Sequence, residues 1–208
     1  MLFCTVEGID GVGKSTQVAL LYENLRKEGM NVVTTHEPGG TPFAEKIRDW
    51  LKSDSNLTLA QQFSLFDAAR KDHIINFIRP SLKKGYHVIS DRFIDSSYVY
   101  QNKVKDASTW EQYYYEIEHL YGGLPDITFF LNCNIVTASS RLKKRNEKPD
   151  HFEEIDLDVW YERRTLYGRI LDISPRRQCF EIDASKNEEE VSYVILRLFK
   201  EVYEQTLR

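Results

Sequence analysis

Gly8-Ile9-Asp10-Gly11-Val12-Gly13-Lys14-Ser15 matches the pattern GxxxxGK[ST], and no other stretch restricts the fold of this chain so tightly. An apolar run at residues 2–6 precedes it and reads as a buried strand. Val18, Leu21 and Leu25 follow at helical spacing, and Gly29 closes that helix. A strand, a glycine-rich turn and a helix in that order make a phosphate cradle. The glycines let the backbone curl without Cβ clashes, and successive N–H groups and the helix N-terminus face the anion. Gly8, Ile9, Asp10, Gly11, Val12, Gly13, Lys14, Ser15 and Thr16 are therefore the expected contacts of a nucleoside triphosphate such as ATP. Lys14 supplies a cation to the β- and γ-phosphates, and Ser15 a hydroxyl to Mg²⁺. The motif specifies triphosphate binding and leaves the reaction open.

The rest of the chain alternates strand and helix patterns. Strands are expected at Asn31–His36, Tyr86–Ser90, Ile127–Asn132 and Gln178–Ile182. Thr41 before Pro42 predicts a helix N-terminus, with that helix running to about Lys52. Leu59, Phe63, Phe66, Ile74, Phe77 and Leu82 predict one long helix over 59–84, closed by Gly85. Further helices are expected near 95–102, 109–121, 135–145 and 155–172, with a charged loop at 146–154 and an amphipathic helix through Val191–Val202. The strands read as mostly apolar on both faces. That predicts an α/β, P-loop NTPase-like single domain over residues 1–208: a five-stranded parallel sheet covered by helices on both faces, with ligands at the carboxyl ends of the strands.

Composition narrows the partners. A net charge of −4 gives no overall basic field for nucleic acid, so any phosphate site must be local. Cys4, Cys133 and Cys179 are scattered without CxxC spacing, which argues against a disulfide framework and structural zinc. No apolar run approaches the roughly 20 residues that span a bilayer, so no membrane partner is expected. Met1–Val6 lacks a basic leader region and a cleavage site. The expected setting is cytoplasmic.

The reaction is chosen further along. The NKxD string by which regulatory GTPases read their base does not occur. The third strand instead ends in Asp91-Arg92-Phe93. A strand-end carboxylate at Asp91 suits Mg²⁺, and Arg92 suits an acceptor phosphate. A surface ion pair is the competing reading of Asp91-Arg92.

In combination these motifs resemble the thymidylate kinase family. Glu7–Gln17 is similar to that family's phosphate-loop signature, Glu37-Pro38-Gly39-Gly40-Thr41 to its [RH]EPGGT turn, and Phe66 with Arg70 to its FxxxR helix motif. Asp91-Arg92-Phe93 with Ser96-Ser97 and Tyr100-Gln101, and Pro125–Thr128, also resemble family strings, in the family's order from about residue 3 to 183. The resemblance implies transfer of the γ-phosphate of ATP to dTMP, with Mg²⁺, by a homodimer. It implies that Asp10, Lys14, Arg92, Arg141 and Arg145 act in catalysis. Glu37, Pro38, Phe66, Arg70, Arg92, Ser97, Tyr100 and Gln101 would hold dTMP, and Ser15 and Asp91 the metal.

Physical sense can be made of each role. Phe66 and Arg70 share a helix face, so a ring to stack on a pyrimidine sits beside a donor for its carbonyl edge. Ser97 and Gln101 repeat that spacing. Tyr100 would pack beneath the sugar. Core packing for Phe66, aromatic packing for Tyr100 and a purely structural turn at Glu37-Pro38 are the competing readings. The basic stretch Arg141–Asp150 falls in a lid expected at about 141–154. Some members carry an Arg at the position of Val12; members without it use a lid Arg, so Arg141 or Arg145 is expected at the transferring phosphoryl. His151 departs from the DRxE pattern of many bacterial members, and a solvated charged face is the alternative. The rival functions are another nucleoside monophosphate or deoxynucleoside kinase of the same fold, and a triphosphate-dependent switch protein.

Overall fold

The computed structural model describes residues 1–144, 156–173 and 177–207. The order is β1 (Phe3–Glu7), α1 (Lys14–Lys27), β2 (Val32–His36), α2 (Pro42–Ser53), α3 (Leu59–His73), a π-helical turn (Ile74–Ile78), α4 (Arg79–Lys83) and β3 (His87–Asp91). There follow α5 (Ile94–Tyr100), α6 (Ala107–His119), β4 (Ile127–Asn132), α7 (Ile135–Lys143), α8 (Leu157–Ile173), β5 (Gln178–Asp183) and α9 (Glu188–Thr206). All four strand pairings are parallel, and the sheet order is β2-β3-β1-β4-β5. The expected five-stranded α/β architecture is therefore what the chain adopts. β1 lies at the centre, and its carboxyl end delivers the phosphate loop.

Local chemistry explains most boundaries. Gly29 ends α1 at φ 79°, with Met30 N–H on Leu25 C=O and Gly29 N–H on Arg26 C=O, so a left-handed residue closes the helix and satisfies its last carbonyls. Thr41 Oγ1 accepts from Ala44 N–H at the start of α2, as expected. Asp106 accepts from Thr109 N–H, which starts α6 at Ala107 rather than at 109. The helix expected near 95–102 ends at Tyr100 and passes into a 3₁₀ turn at Asn102–Val104.

Two expectations require correction. The long helix over 59–84 is interrupted by the π turn, because Pro80 has no N–H for the carbonyl four residues back and its ring crowds that carbonyl. Its apolar residues are largely covered by neighbouring helices of the same chain. Leu65 and Phe66 pack with α2, while Phe63, Ile74, Phe77 and Ile78 pack with Trp110, Tyr113 and Ile117 of α6. Ile75 remains 48% exposed.

Nor are the strands apolar on both faces. Phe3, Thr5 and Glu7 alternate onto one face of β1, and Thr5, Glu7, Ser90 and Thr128 are all buried. The layer above them is polar enough to satisfy them. Thr5 and Thr128 hydroxyls are 3.0 Å apart. Arg177 makes two 2.7 Å bonds to the Asp95 carboxylate, and Tyr114 donates to the same carboxylate at 2.6 Å. Both charges of the Asp95–Arg177 pair are withdrawn from water. Asp95→Ala should therefore destabilise the protein by about 3–5 kcal/mol, because it strands a buried guanidinium. Urea unfolding measures the loss, and a change below about 1 kcal/mol would contradict it.

Candidate active site

Parallel pairing of β1 with β3 sets Val6 beside Asp91. The turn after each strand thus opens at the same edge, and Arg92 N–H donates to Val6 C=O. The phosphate loop needs its glycines for room as well as for conformation. Gly11 has φ 84°, and a Cβ there would lie 2.2 Å from Ala138 C=O. A Cβ on Gly8 would meet Leu131 C=O at 2.6 Å. Gly13 caps α1 with no side-chain acceptor, so the first-turn N–H groups stay directed at the loop.

Two clefts flank this loop and share Gly11 and Gly13 as a wall. The first is lined by Asp10, Lys14, Ser15, Glu37, Pro38, Phe66, Arg70, Asp91, Arg92, Ser97, Tyr100 and Gln101. Every residue expected to hold the acceptor therefore borders one space. Val12, Thr16, Gln17, Arg141, Ala184, Lys186 and Val191 line the second.

At the floor of the first cleft Lys14 Nζ donates to Ile9 C=O at 3.0 Å and stands 3.8 Å from Asp10. Burial, and then the charge of Arg92, pull the Lys14 ammonium down to about 8. Burial works against ionisation of Asp10, but Arg92 and Lys14 outweigh it and hold that carboxyl at about 2. Arg92 is paired with Asp10 and not with Asp91, which disposes of the surface-pair reading. Its guanidinium also reaches Gly8 C=O (3.2 Å), Ser96 Oγ (3.0 Å), Tyr167 OH (3.1 Å) and Tyr100 OH (3.3 Å). Tyr100 donates to Asp10 at 2.7 Å, so its ring is oriented by the same carboxylate.

The deeper wall is fixed by Arg70. Its Nε donates to Glu37 at 2.8 Å, one terminal nitrogen to Ser97 Oγ and Tyr113 OH at 3.0 Å each, and the other to Phe93 C=O at 3.2 Å. Ser97 and Glu37 are thus engaged by Arg70. Phe66, half-buried one turn away, borders the same space. Gln101 is buried there, and its Oε1 has no partner among the described residues. Such an orphan acceptor suits a ligand donor.

Ser15 Oγ lies 2.5 Å from Asp91 Oδ2. A hydroxyl and a carboxylate are hard oxygen donors of the kind Mg²⁺ takes alongside substrate phosphates. No cluster of three His, Cys, Asp or Glu groups among the described residues offers an all-protein cage. Arg141, at the end of α7, donates to the carbonyls of Val12 (3.3 Å), Ala184 (2.8 Å) and Lys186 (3.4 Å), and it borders only the second cleft. Arg145 and His151, with most of the expected lid, lie outside the described residues.

Several participants escaped the sequence. Tyr113, Tyr167 and Arg163 reach the site from distant elements, and Glu7, though it directly precedes the loop, was given no role; Arg163 lies over the Tyr100 ring at 4.2 Å. Arg48 Nη1 donates to Pro38 C=O at 2.9 Å and borders the first cleft. His73 bonds Glu37 at 3.0 Å, and its place three residues after Arg70 was a usable signal.

A family model described as thymidylate kinase matches residues 6–195. A thymidylate kinase of Halothermothrix orenii is 34% identical over 200 residues, covering 91% of this chain and 92% of that one. A thymidylate kinase of Bartonella quintana is 41% identical over 181 residues, covering 84% of each.

Arg70→Ala should weaken binding of a pyrimidine nucleotide in the first cleft at least about 10-fold while changing ATP binding less, on the scale of a lost charged hydrogen bond. It should also lower stability by about 3 kcal/mol, since Glu37 stays buried with His73 alone. Calorimetric titration and thermal unfolding read the two effects; a larger loss for ATP would place Arg70 on the wrong ligand.

Proposed function

The chain belongs to the thymidylate kinase family, and we propose that it transfers the γ-phosphate of ATP to dTMP, giving ADP and dTDP, in the supply of dTTP. The observation that carries this reading is the first cleft. It joins two phosphate-seeking cations, Lys14 and Arg92, to a chamber bordered by Phe66, Arg70 and Gln101. A nucleoside kinase needs a carboxylate base aimed at a neutral hydroxyl. Here Asp10 is held ionised by Arg92 and Lys14 and is occupied by Tyr100. Cations beside the loop favour an acceptor that already carries a phosphate.

In this reading ATP occupies the second cleft, with its phosphates on the loop backbone of Gly8–Thr16. dTMP occupies the first, with its phosphate at Arg92, its sugar over Tyr100 and its base between Phe66 and the Arg70–Gln101 wall. An oxygen of the dTMP phosphate attacks the γ-phosphorus as the bond to the ADP oxygen breaks, and no covalent enzyme intermediate forms. Lys14 and Arg92 hold charge on the transferring group in fixed positions, which is the main source of acceleration in such transfers. Arg141 or Arg145 adds a lid cation. Ser15 and Asp91 would hold Mg²⁺, which would supply positive charge to offset that of the triphosphate.

An ADP-release assay across dTMP, dUMP, dCMP, dGMP and thymidine tests the assignment. dTMP should give the highest kcat/KM and thymidine essentially none; turnover of thymidine at a comparable rate would overturn it.

The protein acts as a single domain in the cytoplasm, and its three cysteines remain free. Among the described residues no helix is long and apolar enough to cross a membrane. It works as a homodimer. Support comes from apolar side chains left at the surface: Ile75 in the π turn, and Phe43 (50% exposed) and Trp50 (52%) seven residues apart on one face of α2. Light scattering at micromolar concentration should give about twice 24.4 kDa, and Ile75→Glu should return the mass to that value without unfolding. A wild-type monomer across the range would refute the dimer.

A further inference from the structure

Arg92 has φ 69° and is the one non-glycine residue with positive φ among those described. A non-glycine side chain is disfavoured in the left-handed region and persists there only where its surroundings over-determine it. Three bonds hold this backbone. Arg92 N–H donates to Val6 C=O at 3.0 Å, Ser90 Oγ donates to Arg92 C=O at 2.7 Å, and Phe93 N–H donates to Glu7 Oε1 at 2.6 Å. The second oxygen of Glu7 accepts from Ser96 Oγ at 2.7 Å and from Tyr167 OH at 3.2 Å. Ser96 and Tyr167 are the hydroxyls on which Arg92 Nη1 rests. One buried carboxylate thus fixes both the peptide after Arg92 and the partners of its guanidinium.

We infer that Glu7 is a positioning residue for phosphoryl transfer: its carboxylate holds Arg92 in the left-handed conformation that aims the guanidinium at the acceptor phosphate. The inference rests on the reading of Arg92 as the ligand of that phosphate.

The carboxylate is an expensive choice for the position. Burial, and then the nearby charge of Asp95, push the Glu7 carboxyl up to about 7, although Arg92, Ser96 and Phe93 N–H oppose them. Lys14 on α1, Tyr114 on α6 and Tyr167 on α8 also face it electrostatically. A carboxyl whose folded pKa lies above its unfolded value binds more protons in the native state. Its contribution to stability is therefore most favourable below about 4.5 and declines as pH rises to about 7. Ionisation of this carboxyl therefore costs folding stability.

Glu7→Gln keeps the shape and one acceptor but removes the charge. At pH 8 its melting temperature should equal or exceed that of the wild type, while kcat/KM for dTMP falls at least about 10-fold and KM for ATP stays within about two-fold. The wild-type profile of kcat/KM for dTMP should show an ionisation near 7 that Glu7→Gln lacks; the ionisation of the acceptor phosphate remains in both. Glu7→Asp, which keeps the charge but is one methylene too short to span Phe93 N–H and Ser96, should lose activity without losing the ionisation. Arg92→Ala tests the underlying reading separately. Full activity in Arg92→Ala would remove Arg92 from the acceptor site. A crippled Arg92→Ala beside a Glu7→Gln of wild-type kcat/KM, or a Glu7→Gln whose loss matches only a smaller folded fraction, would overturn the positioning role alone.

Discussion

The register between β1 and β3 decides where the charges of this protein meet. With Val6 beside Asp91, the turns leaving both strands begin at one level of the sheet. Gly8 and Asp10 from one turn then lie against Arg92 from the other. A slip of one residue would turn Glu7 to the opposite face and separate Arg92 from Asp10. The pairing is secured by hydrogen bonds that continue past the sheet, such as Arg92 N–H to Val6 C=O and Glu37 N–H to Asp91 C=O. The active-site edge is in this sense an extension of the sheet ladder.

Around that edge, charge is arranged in closed sets. Asp10 is shared by Lys14, Arg92 and Tyr100, and Glu37 by Arg70 and His73. Each anion keeps a cation from being buried alone, and Arg92 and Lys14 together keep Asp10 ionised. Such sets are rigid because moving one member leaves another unpaired in a low-dielectric surrounding. Rigidity of this kind suits a transfer in which the protein supplies positions and charges.

The sequence made the local parts of this design legible. The phosphate loop, Thr41-Pro42 and Gly29 each announce themselves within a few residues, because turns and caps have short-range causes. Phe66 and Arg70 were legible as a pair through their resemblance to the FxxxR motif, with which helical spacing on one face agrees. The polar layer under α5, α6 and α8 was not. Thr5, Thr128 and Arg177 find each other only through strand order and crossovers, so no window of the chain contains their relationship. The π turn was missed for a different reason: the apolar spacing over 59–84 runs unbroken, and only the missing N–H of Pro80 marks the interruption. Arg141 shows the limit of reading a role from charge, since its partners are backbone carbonyls that no side-chain pattern reports.

The central place of β1 also bears on how the chain is made. β1 emerges first, yet both of its neighbours in the sheet come from later segments, β3 and β4. Its buried polar groups wait longer still: Glu7 for Phe93, Ser96 and Tyr167, and Thr5 for Thr128. Contacts so distant in sequence slow folding, because the entropy of closing each loop is lost before any contact rewards it. During synthesis β1 has no sheet neighbour until β3 (His87–Asp91) is made, and it lacks its second until β4 (Ile127–Asn132) follows. Over that interval Leu2–Val6 is an apolar strand without its partners, and Glu7 sets a carboxyl directly at its end, in the flanking position where a charge opposes strand-to-strand association.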